Sequence, residues 1–303
     1  MINFFTLVFI SFFLPETVFY SRGTSPRTKE GEEPQLTMAM YKRLLKPWTT
    51  FNGVHLKAEH FVLPSFRMAK YPSVVFPALY YAAQYCFTAI FPAVTYATIF
   101  REAYAWNTLQ CGLAYGGTMT IGSIVGELFA GRVMDSILQR EAKRAHNNSP
   151  PPEVRLKGIV PGAILCPTGL LIFGFTMQHQ THWAGPLAGM FIGIFGVQIV
   201  ATCTYTYAID CYRIEGSEVS QLFNFLRQET SMTIAFYGVD LCHAIGYDMA
   251  FLMFALVGSV LAFVPIPVLM FKGQRIRQKM GRPEKVSVAE EVVKDHVTAY
   301  VER

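Results

Sequence analysis

Residues 158–209 read GIVPGAILCPTGLLIFGFTMQHQTHWAGPLAGMFIGIFGVQIVATCTYTYAI, and none of them is Lys, Arg, Asp or Glu. A short polar run at 178–182 divides the stretch into two apolar segments, Gly158 to Met177 and Ala184 to Ile209. About 20 apolar residues cross a ~30 Å hydrocarbon core as a helix, so each segment is long enough to span one. Neither alternates with the two-residue period of a barrel strand, and only helices or closed barrels satisfy their backbone inside lipid. Lys157 before the pair and Arg213 after it put both flanks on one side of the membrane.

Working outward, four more apolar stretches appear: Pro72 to Phe100, Leu109 to Ala130, Val219 to Ile245 and Met249 to Phe271. The basic residues lie between them in blocks. Of 26, nine fall between Arg22 and Lys70, six between Arg132 and Lys157, one is Arg213 and eight follow Phe271, leaving Arg101 and Arg227. Short loops rich in Lys and Arg resist translocation, so every block is expected on the cytoplasmic side. The fold class expected is all-α: a polytopic integral membrane protein with a six-helix transmembrane bundle at 71–271, a cytoplasmic linker at 22–70 and a cytoplasmic tail at 272–303.

Composition agrees, with 52% hydrophobic and 16% charged residues. The net charge of +5 sits in membrane-flanking loops with no recognition motif, which argues against nucleic acid and for anionic lipid headgroups as its partner. Six cysteines, Cys86, Cys111, Cys166, Cys203, Cys211 and Cys242, lie in or at the edge of spans without CxxC spacing and are expected as small buried hydrophobes. Neither a metal nor a cofactor is expected. His179 and His182, at i and i+3, stand in a loop, and His55, His60, His146, His243 and His296 are scattered. A membrane enzyme would need paired acids or clustered histidines, and there is no HExxH, nucleophile elbow or phosphate loop.

The first 14 residues, MINFFTLVFISFFL, are apolar and end at Pro15. A signal peptide would deliver the following basic segment to the lumen, against the charge bias, so residues 1–21 are expected to be the end of a preceding membrane span. The run Gly23 to Gln35 reads as solvated linker, and Leu36 to Leu45 as a short amphipathic surface helix followed by Trp48. Asn147-Asn148-Ser149 matches a glycosylation sequon, but in a loop expected on the cytoplasmic side.

Four local patterns resemble the fungal drug:proton antiporter branch of the major facilitator superfamily. Leu14-Pro15-Glu16-Thr17 is similar to the LPET that ends the sixth span there. Gly126-Glu127 with Gly131-Arg132 and Asp135 resembles the second-half copy of the superfamily's loop motif. Pro152-Glu153-Val154-Arg155-Leu156 is similar to a PExRL element before the ninth span. Tyr207 to Tyr212 with Asn224 to Arg227 resembles the YxxDxY and NxxR pair around the loop between spans ten and eleven. The resemblance implies the C-terminal half of a twelve-span transporter, with small-molecule substrate bound between halves. It therefore implies an N-terminal half or a second copy as partner, or an incomplete gene product.

Periodicity bears on which faces meet substrate. In the first stretch Tyr81, Gln84, Tyr85 and Thr88 recur at i, i+3, i+4 and i+7, and the fifth carries Asn224, Arg227, Gln228 and Ser231 in the same way. Gln198 is a polar position of the fourth. These are the substrate-cavity candidates, with hydrogen bonding between helices as the other reading of the same groups. Arg227 stands out because a charge near mid-bilayer costs ~2.5–3.5 kcal/mol on insertion scales and so faces a cavity or a partner. Glu127, Arg132, Asp135 and Asp210 are candidates for an ion-pair latch at the cytoplasmic helix ends. Glycines at 112, 116, 122, 126, 185, 189 and 193 are expected at close helix contacts, and Pro77, Pro92, Pro161, Pro167, Pro265 and Pro267 at kinks. The expected activity is alternating-access transport of a small organic molecule, including drug or toxin efflux, against a non-transporting scaffold or inactive fragment as the alternative.

Overall fold

A computed structural model describes residues 65–145, 151–213, 215–261 and 263–281. The apolar start, its LPET, the surface helix at 36–45, the sequon, most of the linker and the end of the tail lie outside the described residues. Within them every regular element is helical.

All six apolar stretches are helical, and their ends have local causes. Tyr71 is extended and Pro72 opens α1 (Pro72–Tyr85) at a position whose N–H needs no partner. A wide π turn follows at Cys86–Ile90, and α2 (Phe91–Tyr104) continues the same rod. Pro92 explains the widening: a proline ring clashes with the carbonyl four residues back, here Thr88, inside the π turn. Ala105, left-handed at φ 51°, stops α2. α3 (Thr108–Ala145) begins with a reciprocal cap, Gln110 N–H donating to Asn107 Oδ1 at 2.9 Å and Asn107 N–H to Gln110 Oε1 at 3.1 Å. A 3-10 segment, Pro152–Gly158, leads into α4 (Ile159–Gln178), and α5 (Ala184–Cys211) returns. α6 (Gly216–Ile245) ends at Gly246, φ 88°, where α7 (Tyr247–Leu256) starts. A second π turn, Val257–Leu261, precedes α8 (Pro265–Met280).

The bounds of two stretches need correcting. The second stretch does not stop near Ala130: α3 continues to Ala145, so most of the first basic block after it is helix. The sixth stretch is not one rod, because Pro265 and the π turn before it break it, and α8 then carries helix into the expected tail as far as Met280. Among the described residues, Pro72–Glu102, Pro152–Gln178 and Ala184–Cys211 are each both long and apolar enough, by length and composition, to cross a membrane. α3 and α6 fall short through the polar groups they carry, and the sixth stretch through its break.

Packing is closest between α4 and α5. A methyl on Gly169 would stand 2.3 Å from the Gly193 nitrogen, so the two backbones touch. α3 lies on α5 in the same manner, where a methyl on Gly126 would reach Gln198 Cβ at 2.9 Å. Two apolar clusters fill the bundle. One holds Tyr80, Leu156, Tyr207, Phe223 and Ile266, toward the basic helix ends; the other, farther along, holds Phe91, Phe100, Phe173, Phe251 and Phe254. Cys86, Cys111, Cys166, Cys203 and Cys242 are buried and Cys211 half-buried, all as free thiols.

Candidate functional site

On α5, Gln198, Thr202 and Tyr205 recur at i, i+4 and i+7 and so form one stripe. α1 and α6 meet it at Tyr205. That hydroxyl donates to Asn224 Oδ1 at 3.5 Å, its ring lies 4.5 Å from Phe223, and Tyr81 meets it edge-on at 5.4 Å. Arg227 Nη2 also donates to Asn224 Oδ1, at 3.4 Å, while the guanidinium carbon sits 4.5 Å from the Tyr85 ring centre. Arg227 Nε is buried and finds no hydrogen-bond partner among the described residues. A cation on a tyrosine face gains ~0.5–2 kcal/mol, which offsets part of the cost of placing it in an apolar span. Tyr81, Tyr85, Asn224 and Arg227, expected on two separate helical faces, thus form one cluster with Tyr205. Gln228 is exposed beside it.

Gln84 and Thr88 are not in that cluster. Gln84 is buried and its amide donates to the Gly258 carbonyl at 3.0 Å. That carbonyl lies in the second π turn, where a helix leaves backbone groups without their usual partners. Thr88 is buried against Gly193. One hundred degrees per residue places Gln84 and Tyr85 on opposite edges of the expected face, and the π turn moves Thr88 further. A polar side chain on an apolar helix marked a helix contact here as readily as a cavity.

The expected latch is dispersed. Glu127 points to α5, accepting from Thr202 Oγ1 at 3.1 Å and Gln198 Nε2 at 3.5 Å. Arg132 donates to the Leu128 carbonyl of its own helix at 3.2 Å, and Asp135 is exposed. Asp210 pairs instead with Arg155 at 2.6 Å, with Arg213 looser at 3.7 Å. Nearby, Glu153 Oε1 accepts from Arg277 Nη2 at 2.6 Å and Nε at 3.1 Å, and Lys157 reaches Glu141 at 2.8 Å. Burial works against the charge of Arg277, but Cys211 and the adjoining Glu153 raise its pKa overall, so it stays charged. The PExRL and YxxDxY patterns are therefore joined by Arg155 and Asp210. Both were visible in the sequence as motifs, but no spacing rule links positions 55 residues apart.

His179 and His182 are exposed on the turn between α4 and α5, and His182 Nδ1 accepts from the Ala184 N–H at 3.3 Å. No group of His, Cys, Asp or Glu suited to a metal occurs among the described residues.

Comparison with known proteins places the sequence in a family. Residues 1–236 match the family described as Major Facilitator Superfamily. An uncharacterized transporter of Schizosaccharomyces pombe is 27% identical over 279 residues, covering 90% of this chain and 56% of the relative. The MFS-type transporter penM of Penicillium rubens is 29% identical across 71% of this chain and 42% of its own length. A probable drug/proton antiporter of Saccharomyces cerevisiae is 28% identical across 61% and 35%. The chain thus spans about half the length, or less, of these relatives. No solved structure matches it.

Proposed function

The chain belongs to the Major Facilitator Superfamily, and on that premise we propose that it moves a small organic molecule across a membrane by alternating access, drug or toxin efflux included. It is an integral membrane protein. The observation that carries the reading is Arg227, held over Tyr85 and against Asn224 within an aromatic cluster from three helices. A cation kept in an apolar span at that cost, beside the exposed Asn224 and Gln228, suits a site that takes a ligand. Tyr81, Tyr85, Tyr205, Asn224, Arg227 and Gln228 line it in this proposal, and Gln84 and Thr88 support it from behind.

A second body completes the cavity: an N-terminal half or a second copy of this chain, facing the surfaces of α3 and α6. Arg132 and Asp135, exposed on α3, meet that body and serve as latch, while Arg155–Asp210 and Glu153–Arg277 hold the basic end of this bundle together. The blocks of Lys and Arg support a plasma-membrane protein with residues 22–70 and 272–303 in the cytoplasm. The chain acts as a carrier, not as an enzyme.

The test is dye export from cells expressing the chain, set against cells lacking it and cells expressing Arg227→Gln at equal membrane abundance. Energy-dependent export by the wild type that is lost in the variant supports the proposal. Equal export from all three cell types sinks it.

A further inference from the structure

Glu127 is the second charge on the α5 stripe. Gln198 and Thr202, its two partners, lie near the middle of α5, whose 28 residues run Ala184–Cys211. Thr202 stands eight residues, about 12 Å, before Asp210 along α5, so the exposed carboxylate of Glu127 is set apart from the Arg155–Asp210 pair. Among the described residues no cation lies within ion-pair distance of it.

Its bonding is incomplete in a telling way. Only Oε2 accepts a hydrogen bond, from Thr202 and more weakly from Gln198, and Oε1 takes none among the described residues. Thr202 has a single hydroxyl proton and a second acceptor in reach, the Gln198 carbonyl at 3.0 Å, so it can release Glu127 without losing a bond. An exposed carboxylate on an apolar helix face, weakly held, has room for a cationic ligand.

Arg227 lies on the other flank of the same stripe, linked to Tyr205 through Asn224. At ~1.5 Å per residue, Tyr205 is roughly 5–10 Å along α5 from the level of Gln198 and Thr202. Between the two charges along the stripe stands Tyr205, backed by the buried rings of Tyr81 and Phe223. Glu229, two residues beyond Arg227, is about 200° around α6 and does not share this face.

We propose that Glu127 is the acidic pole of the substrate site and Arg227 its basic pole, so that the site selects amphoteric aromatic molecules carrying a protonated amine at one end and an anionic group at the other. This rests on the cavity reading above. Arg227 alone would favour anions; Glu127 alone would favour cations; the pair favours a molecule that offers both charges across a flat apolar body.

Three xanthene dyes of one skeleton separate these cases: rhodamine 110, with amine and carboxylate; rhodamine 123, its methyl ester, a cation; and fluorescein, an anion. Fluorescence anisotropy of each is measured against the full chain in detergent. Rhodamine 110 should bind the wild type at least several-fold tighter than either single-charge dye. Glu127→Gln should weaken rhodamine 110 and rhodamine 123 about tenfold, as loss of a charge-assisted hydrogen bond predicts, and leave fluorescein unweakened. Glu127→Asp should restore part of the preference, which a merely structural role would not do. If Glu127→Gln lowers all three equally, or none, while the wild type binds them, the acidic pole is refuted and the cavity reading stands. If the wild type, assembled with the body that completes its cavity, binds none of the three, the cavity reading itself fails.

Discussion

Replacing Arg277 with Met should destabilise the bundle more than replacing Glu153 with Gln, and the order follows from burial. The Glu153 side chain is 10% exposed and that of Arg277 22%. Glu153 Oε1 takes both hydrogen bonds from Arg277, and Oε2 is buried without a partner among the described residues. Removing the arginine leaves a carboxylate in a dry site with neither oxygen satisfied. Breaking a fully buried pair this way costs ~3–5 kcal/mol, and the partial exposure here brings the expectation to about 2–3 kcal/mol. Glu153→Gln keeps an acceptor for Arg277, and a long guanidinium one-fifth exposed can swing toward water, so about 1 kcal/mol is expected. The assay is denaturant titration of the purified chain in micelles, with both single variants and the double variant Glu153→Gln/Arg277→Met. The double variant should recover part of the loss, giving a coupling of about 1–2 kcal/mol. Additive effects within ~0.5 kcal/mol, or a larger cost for Glu153→Gln, would refute the reasoning.

Other perturbations probe other contacts. Gly169→Leu inserts a side chain where even a methyl would stand 2.3 Å from the Gly193 nitrogen, so α4 and α5 must separate; overpacking of ~1–3 kcal/mol is a floor, and a cross-link between cysteines placed on the two helices should slow. Gln84→Leu leaves the Gly258 carbonyl unpaired, costs ~1–3 kcal/mol and should speed hydrogen exchange in 257–261 more than elsewhere. Tyr85→Leu removes the ring beneath Arg227, a loss of ~0.5–2 kcal/mol, and should make Arg227 more reactive toward a guanidine-modifying reagent. Arg155→Gln strands Asp210, whose remaining contact to Arg213 is 3.7 Å, and double electron resonance between labels on α4 and α5 should show a broader distance distribution at the basic end.

Hydropathy located the helices well because an apolar run of this length has no other stable form in lipid. It located their ends less well. Ala130 closes the apolar run of the second stretch, yet α3 continues through Arg132 to Ala145, since Ile137, Leu138 and the Ala residues that follow are good helix formers and nothing breaks the chain. The sixth stretch departs from its apolar run in the opposite sense, at Pro265, where a kink is expected. Its residues are apolar throughout, but Pro265 removes a backbone donor and the rod breaks.

The same difference bears on Glu127, grouped by sequence with the latch candidates but bonded to α5. Read from the end of an apolar run at Ala130, it lies three residues from water; read from its partners Gln198 and Thr202, it lies beside the middle of α5. A span's boundary is set by where the neighbouring helices cross, not by where its own apolar residues cease, and α3 reaches well beyond any single crossing. Arg132, one turn and a half further on, meets its own backbone instead of α5. The motif similarity pulled Glu127 and Arg132 together because they are close in sequence. Tertiary contact separates them, giving the acid to the α5 stripe it shares with Arg227, and only that contact makes two charges of opposite sign on one wall visible.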